Sequence, residues 1–157
     1  MSLLGIDVGT TGCKVIAFNV EGKIISQAYG EYPLFHPKPD WSELDSQQVW
    51  EKVAEGIRKV AAETKSDPIG ALSVSSQGEA VTPVSDTGEI LDRAITTFDY
   101  RATKIVDEIE EKISRLEIMQ LTGMPLNSIK TVPKLIWLRR NKPEVFKKAW
   151  KFLGFQD

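Results

Sequence analysis

The sequence predicts an α/β domain built on a mixed sheet, and three observations carry that prediction. Three runs rich in Ile and Val follow one another across glycine turns, an amphipathic helical stretch comes next, and an apolar run of strand length follows it. Leu3 to Val8, Cys13 to Val20 and Lys23 to Tyr32 are the opening strands, and connections this short give an antiparallel meander. Pro33 to Trp41 holds three prolines and reads as a loop, because proline cannot donate to a central ladder. Asp45 followed by Gln48 opens a helix in the manner of a capping box, worth about 1 kcal/mol. Val49, Val53, Ile57, Val60 and Thr64, widened by Trp50 and Ala61, give that helix one buried face. Ile69 to Ser75 is then a strand, and a strand reached through a helical crossover runs parallel to the first.

Farther on, Glu79 to Val84 and Glu89 to Thr96 flank the turn residues Ser85-Asp86-Thr87-Gly88 and predict a second hairpin. Ile105, Ile109, Ile113 and Leu116 form one helical stripe, with Asp107, Glu108, Glu110, Glu111 and Lys112 on its wet side. Gly123 and Pro125 end that segment, and Val132 to Arg140 and Glu144 to Trp150 are short helices split by Pro143. A chain of 157 residues suits one domain. Its net charge of −2 excludes a general attraction to nucleic acid or anionic lipid. The basic cluster of Arg139, Arg140, Lys142, Lys147, Lys148 and Lys151 reads as ordinary helix surface. No apolar run is long enough for a membrane span, no secretory leader pattern precedes Leu3, and Cys13 is the only cysteine. The expectation is a cytoplasmic protein without an internal disulfide.

The densest chemistry lies in Gly5-Ile6-Asp7-Val8-Gly9-Thr10-Thr11-Gly12-Cys13-Lys14. An apolar run ends in an acid, turns on two glycines with two hydroxyls between them, and restarts on a lysine. A polyphosphate with its metal needs a carboxylate for the cation, glycines that let backbone N–H groups approach, hydroxyl donors and an ammonium. The same residues also make a plain hairpin turn. No Gly-x-x-x-x-Gly-Lys-Ser/Thr run exists, so a Walker loop is excluded. The dinucleotide fingerprint is excluded because Asp7 stands where its first glycine belongs. An acid there repels a pyrophosphate unless a cation lies between, which points to a metal-bridged nucleotide.

Asp7-x-Gly9-Thr10-Thr11-x-x-Lys14, with its second strand, Glu21-Gly22 turn and third strand, resembles the first phosphate hairpin of the actin, heat-shock chaperone and hexokinase superfamily. Later segments narrow the resemblance to the FGGY carbohydrate kinases. Trp41-Ser42-Glu43-Leu44-Asp45 is similar to that family's Gly-Trp-x-Glu-x-Asp entry to a helix. Ser75-Ser76-Gln77-Gly78-Glu79 is similar to its sugar-facing strand end, and Ala94 to Arg101 to its Trp-x-Asp-x-Arg stretch. Thr122-Gly123-Met124-Pro125 and Lys134-Leu135-Ile136-Trp137-Leu138 resemble its next two landmarks, so the match runs from residue 3 to the last residue.

The resemblance implies a ribonuclease H-like fold, incomplete here: residues 1–157 as part of an N-terminal kinase domain, with the rest of that domain and a C-terminal domain absent. It implies ATP with Mg²⁺, and transfer of the γ-phosphoryl group to a hydroxyl of a sugar or polyol, a xylulose-like pentulose first among them. Asp7 would stand near the metal, with Gly9, Thr10, Thr11, Gly12 and Lys14 at the phosphates. Gln77, Gly78, Glu79, Asp99 and Arg101 would face the substrate, Glu79 accepting from two hydroxyls; Asp99 and Arg101 read equally as a buried structural pair. Relatives acting on glycerol carry Arg-Glu, and those acting on xylulose Met-His, where Gly78-Glu79 stands. Thr97 replaces the usual Trp. Trp41 reads as a cleft-closing residue or as packing against the first helix, and His36 as incidental. The general base, an Asp, is expected beyond residue 157, so the chain alone is expected to be inactive. One strand of a five-strand sheet would be absent, and a homodimer covering the exposed edge is the expected consequence. Two rivals keep or drop the fold: a nucleotide-gated scaffold of the actin or chaperone kind, and an interaction module whose hairpin is only a turn.

Overall fold

The computed structural model describes residues 1–157. Where the length predicts one domain, the residues fall into two compact units. Met1–Leu34, Leu44–Gly78 and Phe155–Asp157 form the first, and Phe35–Glu43 with Glu79–Gly154 the second.

The first unit holds β1 (Ser2–Val8), β2 (Gly12–Phe18), β3 (Ile24–Glu31), α1 (Ser46–Glu63) and β5 (Ile69–Ser76), with β4 (Glu43–Leu44) at the chain boundary between the units. The sheet runs β3-β2-β1-β5, antiparallel through the meander and parallel between β1 and β5, as predicted. Period-2 alternation buries Leu4, Ile6, Val8, Cys13, Val15 and Ala17 on one face. α1 packs on that face through Val49, Val53, Gly56 and Val60. A Cβ on Gly56 would stand 2.9 Å from Val15 Cγ2, so the helix approaches β2 only because position 56 is glycine. The wider stripe expected of α1 is corrected: Trp50 is 63% exposed and Ala61 is also exposed.

Asp45 caps α1 as predicted, its carboxylate accepting from the N–H groups of Gln47 and Gln48 at 3.0 and 3.2 Å. β2 stops at Phe18 because Asn19 turns the chain: its side chain accepts from the Lys23 N–H at 2.8 Å and its carbonyl from the Gly22 N–H. β5 is an edge strand, and the bare apolar surface expected there is present, with Leu72 63% and Val74 44% exposed.

The second unit holds β6 (Thr82–Val84), β7 (Ala94–Ile95), α2 (Thr103–Glu110), α3 (Arg115–Thr122), α4 (Thr131–Asn141), α5 (Pro143–Lys148) and β8 (Lys151–Leu153). Its core is Val81, Ile95 and Leu138, covered by Leu135, Trp137, Phe146 and Phe152. The Ser85 to Gly88 turn forms as predicted, but the hairpin around it shrinks to isolated bridges between Val81 and Ile95 and between Val84 and Ile90. β6 takes its ladder from β8 instead, a strand that follows α5 directly. The single helix expected from Ile105 to Leu116 is two. Ser114 caps α3 by accepting from the Glu117 N–H at 3.2 Å, which breaks the stripe, leaves Leu116 67% exposed and buries Ile118. Part of the basic cluster is neutralised locally: Arg140 pairs with Glu108 at 2.7 Å, Lys147 with Glu144 at 3.1 Å, and Lys142 with Asp92. No helix is long and apolar enough to cross a membrane.

Candidate functional site

The loop end of the first unit's sheet carries one polar row across all four strands. Register sets Tyr29 opposite Lys14, Lys14 opposite Asp7, and Asp7 opposite Ser75. All four are exposed on the face away from α1, since their neighbours in sequence, Ile6, Val8, Cys13 and Val15, point beneath the helix. Asp7 and Lys14 form no ion pair, and the hydroxyls of Thr10 and Thr11 have no partner in the protein. A shallow groove of about 280 Å³ runs from this row over Gly5, Ile16, Phe18 and Ser73.

The loop between Asp7 and Lys14 is fixed from behind. The Gly9 N–H donates to the Gly12 carbonyl at 3.0 Å. The Gly9 carbonyl accepts from the Tyr32 hydroxyl at 2.8 Å and from Gln77 Nε2 at 3.2 Å, and the Thr11 carbonyl from the Tyr32 N–H at 3.3 Å. Burial holds the Tyr32 phenol well above its usual range, so it stays a donor at every ordinary pH. A Cβ at Gly12 would meet the Gly30 carbonyl at 2.8 Å and the Tyr29 hydroxyl at 2.7 Å; this glycine is required by strand packing. Gln77 also donates its backbone N–H to the Val8 carbonyl, and its Oε1 is buried without a partner.

Glu79, in the second unit, is built differently. Its φ is +57°, a left-handed conformation that costs an ordinary residue about 1 kcal/mol. Its carboxylate accepts from the Thr131 N–H at 2.7 Å, the Thr131 hydroxyl at 2.6 Å and Lys130 Nζ at 3.1 Å. It thereby caps α4, whose own N-cap residue, Lys130, offers no acceptor. Burial alone would raise the carboxyl's pKa; the Thr131 and Lys130 hydrogen bonds outweigh it and hold the pKa below the ordinary value. About one of the four lone-pair sites of the carboxylate is left, so the two hydroxyls expected of it reduce to one. A cavity of about 230 Å³ opens beside it, walled by Ile118, Met124, Pro125, Leu126 and Val132.

Asp99 and Arg101 lie in the structure as a buried pair. Asp99 is fully buried, and its carboxylate accepts from the Ser42 N–H at 2.6 Å, the Arg101 N–H at 3.0 Å, Arg101 Nε at 2.8 Å and Arg101 Nη2 at 2.7 Å. The Arg101 side chain is 1% exposed; it reaches Glu43 at 2.9 Å and lies 3.8 Å from the Trp41 ring centroid and 4.9 Å from that of Trp137. The Asp99 carboxylate accepts four hydrogen bonds from protein, and Arg101 Nε and Nη2 donate to carboxylates, while Arg101 Nη1 is buried without a partner. Trp41 packs on Arg101 and edge-on to Trp137 at 5.1 Å. His36 is exposed, bonded to the Trp41 carbonyl.

With both centres described, relatedness can be stated. A family model for the N-terminal domain of the FGGY family of carbohydrate kinases matches residues 2–157. The chain belongs to the FGGY carbohydrate kinases. It is 25% identical over 155 residues to a gluconokinase of Bacillus subtilis, covering 99% of this chain and 30% of the relative. It is 32% identical over 150 residues to a glycerol kinase of Rippkaea orientalis, covering 91% and 30%. The crystal structure of a xylulose kinase from Rhodospirillum rubrum superposes with a TM-score of 0.94 at 25% identity, covering 98% of this chain and 32% of that one. The chain thus spans about a third of the length of these kinases, and its four-stranded sheet has the ribonuclease H-like arrangement that the family resemblance implies.

Among FGGY kinase segments, the Lys-Leu-x-Trp landmark holds the residue the sequence reading missed. Lys134 is 0% exposed, the largest fully buried side chain, and its Nζ donates to the carbonyls of Glu79 at 2.6 Å and Thr96 at 2.8 Å. Burial pushes its pKa down to about 8, against the pull of Asp99 and Glu79. A lysine three residues after a threonine on a short helix reads as solvated; only the long-range acceptors bury it.

Proposed function

We propose that the chain is the phosphate- and acceptor-binding part of an ATP-dependent kinase that transfers the γ-phosphoryl group to a hydroxyl of a sugar or polyol. One observation carries the reading: Asp7 and Lys14 stand opposite each other on an open sheet face, both exposed and neither paired. Opposite charges left unpaired at such range are what a metal-bound polyphosphate neutralises. Lys14 and the unpartnered hydroxyls of Thr10 and Thr11 would bind phosphate oxygens, with the Gly9 to Gly12 backbone around them.

Asp7 is the one carboxylate of the row, and no group of three or more His, Cys, Asp or Glu residues could hold a metal ion. A lone exposed carboxylate fits magnesium, which keeps most of its water and takes few protein ligands. Asp7 would hold the ion through its water; when bound, the ion would neutralise charge on the phosphates.

Glu79 is the acceptor-side residue in this reading. Gly78, where a Cβ would meet nothing within 4 Å, precedes a glutamate held in backbone space that favours glycine. That inversion supports retention of Glu79 for its carboxylate, which has room for one hydroxyl. A xylulose-like pentulose is the acceptor we propose, with an Asp general base beyond residue 157, the adenosine site supplied by a C-terminal domain, and a cytoplasmic setting. The rival interaction module predicts no response to nucleotide. Titration of the 157-residue chain with magnesium triphosphate at millimolar concentration, followed by amide NMR, is expected to shift Gly9, Thr10, Thr11 and Gly12. Unshifted amides there would sink the proposal.

A further inference from the structure

We propose that Lys134 is a positioning residue that holds Glu79 in its left-handed conformation, while Thr131 holds the side chain, and so aims the Glu79 carboxylate at the acceptor. The inference rests on the reading of Glu79 as the acceptor-side group. Thr131 and Lys134 lie three apart on α4, which puts both side chains on one face of the helix. From that face Thr131 takes the Glu79 carboxylate, through its N–H at 2.7 Å and hydroxyl at 2.6 Å, while Lys134 takes the Glu79 main-chain carbonyl at 2.6 Å. A residue gripped at both its backbone and its side chain by one rigid element has no freedom to relax to negative φ.

The second bond of Lys134, to the Thr96 carbonyl at 2.8 Å, extends the clamp to the end of β7, just before Thr97. One buried ammonium therefore fixes both segments that the family resemblance places around the acceptor. Burying a lysine is expensive, and two carbonyl acceptors offset that cost only in this geometry. A methionine of similar length would fill the same space without the bonds, so a core requirement alone does not account for the lysine.

Lys134→Met separates these roles. In the chain as it stands, Glu79 should show the strong intraresidue HN–Hα NOE of left-handed backbone, and Lys134→Met should abolish it while Thr131→Val, with the carbonyl arm intact, keeps it. In the kinase that carries this chain, assayed with D-xylulose, glycerol and gluconate in turn, Lys134→Met should raise KM for the acceptor about tenfold and leave KM for MgATP unchanged. A folded Lys134→Met protein with the Glu79 NOE and acceptor KM of the parent would overturn the clamp. If none of the three acceptors is turned over, the acceptor reading fails and the NOE still decides the clamp. Should Lys134→Met not fold, the parent chain decides: scalar couplings across the hydrogen bonds from Lys134 ¹⁵Nζ to the Glu79 and Thr96 carbonyl carbons are expected, and their absence overturns it.

Discussion

The two units treat charge in opposite ways. In the first, Asp7 and Lys14 are exposed, face each other across a strand pair and have no partner. In the second, Glu79, Asp99, Arg101 and Lys134 are all tied into hydrogen bonds, and three of their side chains are fully or almost fully buried. An exposed unpaired pair contributes little to folding and is available to a ligand, whereas a buried hydrogen-bonded one holds structure first. The hairpin therefore reads as the place where an anion arrives. The Glu79 region reads as a frame set before any acceptor arrives.

Substitutions can break this contrast, the largest effect being expected at the frame. Asp99→Ala leaves the Arg101 guanidinium buried without its main partner and should cost about 3–5 kcal/mol in denaturant unfolding. A loss below about 1 kcal/mol would show that the pair is not structural. Gly56→Ala tests whether the first unit owes its stability to helix packing and not to its polar row. A methyl 2.9 Å from Val15 Cγ2 should destabilise by about 1–3 kcal/mol.

Lys134 makes a pH prediction. Its folded pKa of about 8 lies below the ordinary 10.5, so between those values the unfolded chain binds more protons and stability rises with pH. The parent should gain on Lys134→Met in that window, read from unfolding midpoints; a parallel pH profile would contradict the burial. The neutral amine keeps two N–H donors for its two carbonyls, so the bonds survive the rise. The smallest change in stability is expected for Asp7→Ala, within about 0.5 kcal/mol, with complete loss of the magnesium triphosphate response. Substantial destabilisation by that substitution would erase the distinction between the units.

What the sequence made legible follows the range of the interactions. The hairpin is local: the acid, glycines, threonines and lysine lie within eight residues, and strand alternation alone puts Asp7 and Lys14 on the same face. The Asp45 cap and the Ser85 to Gly88 turn were readable for the same reason. Ser114-x-x-Glu117 was a local signal too, and heeding it would have split the long helix. Gly56 and Lys134 were not readable, because their meaning depends on groups far along the chain. Gly56 answers to Val15, and Lys134 to carbonyls 55 and 38 residues away. Asp99 and Arg101 are legible as a motif, but their burial depends on Ser42, Glu43 and Trp41, far back along the chain.

Three oxygens of the Asp7 to Lys14 connection, those of Gly9, Thr11 and Gly12, are each occupied by a donor from the protein itself. The peptide planes are thereby turned so that lone pairs point inward, and an approaching anion meets less repulsion from the main chain. If the bend receives phosphate as proposed, preference for an anion there would begin with the orientation of amide dipoles, before any side chain takes part.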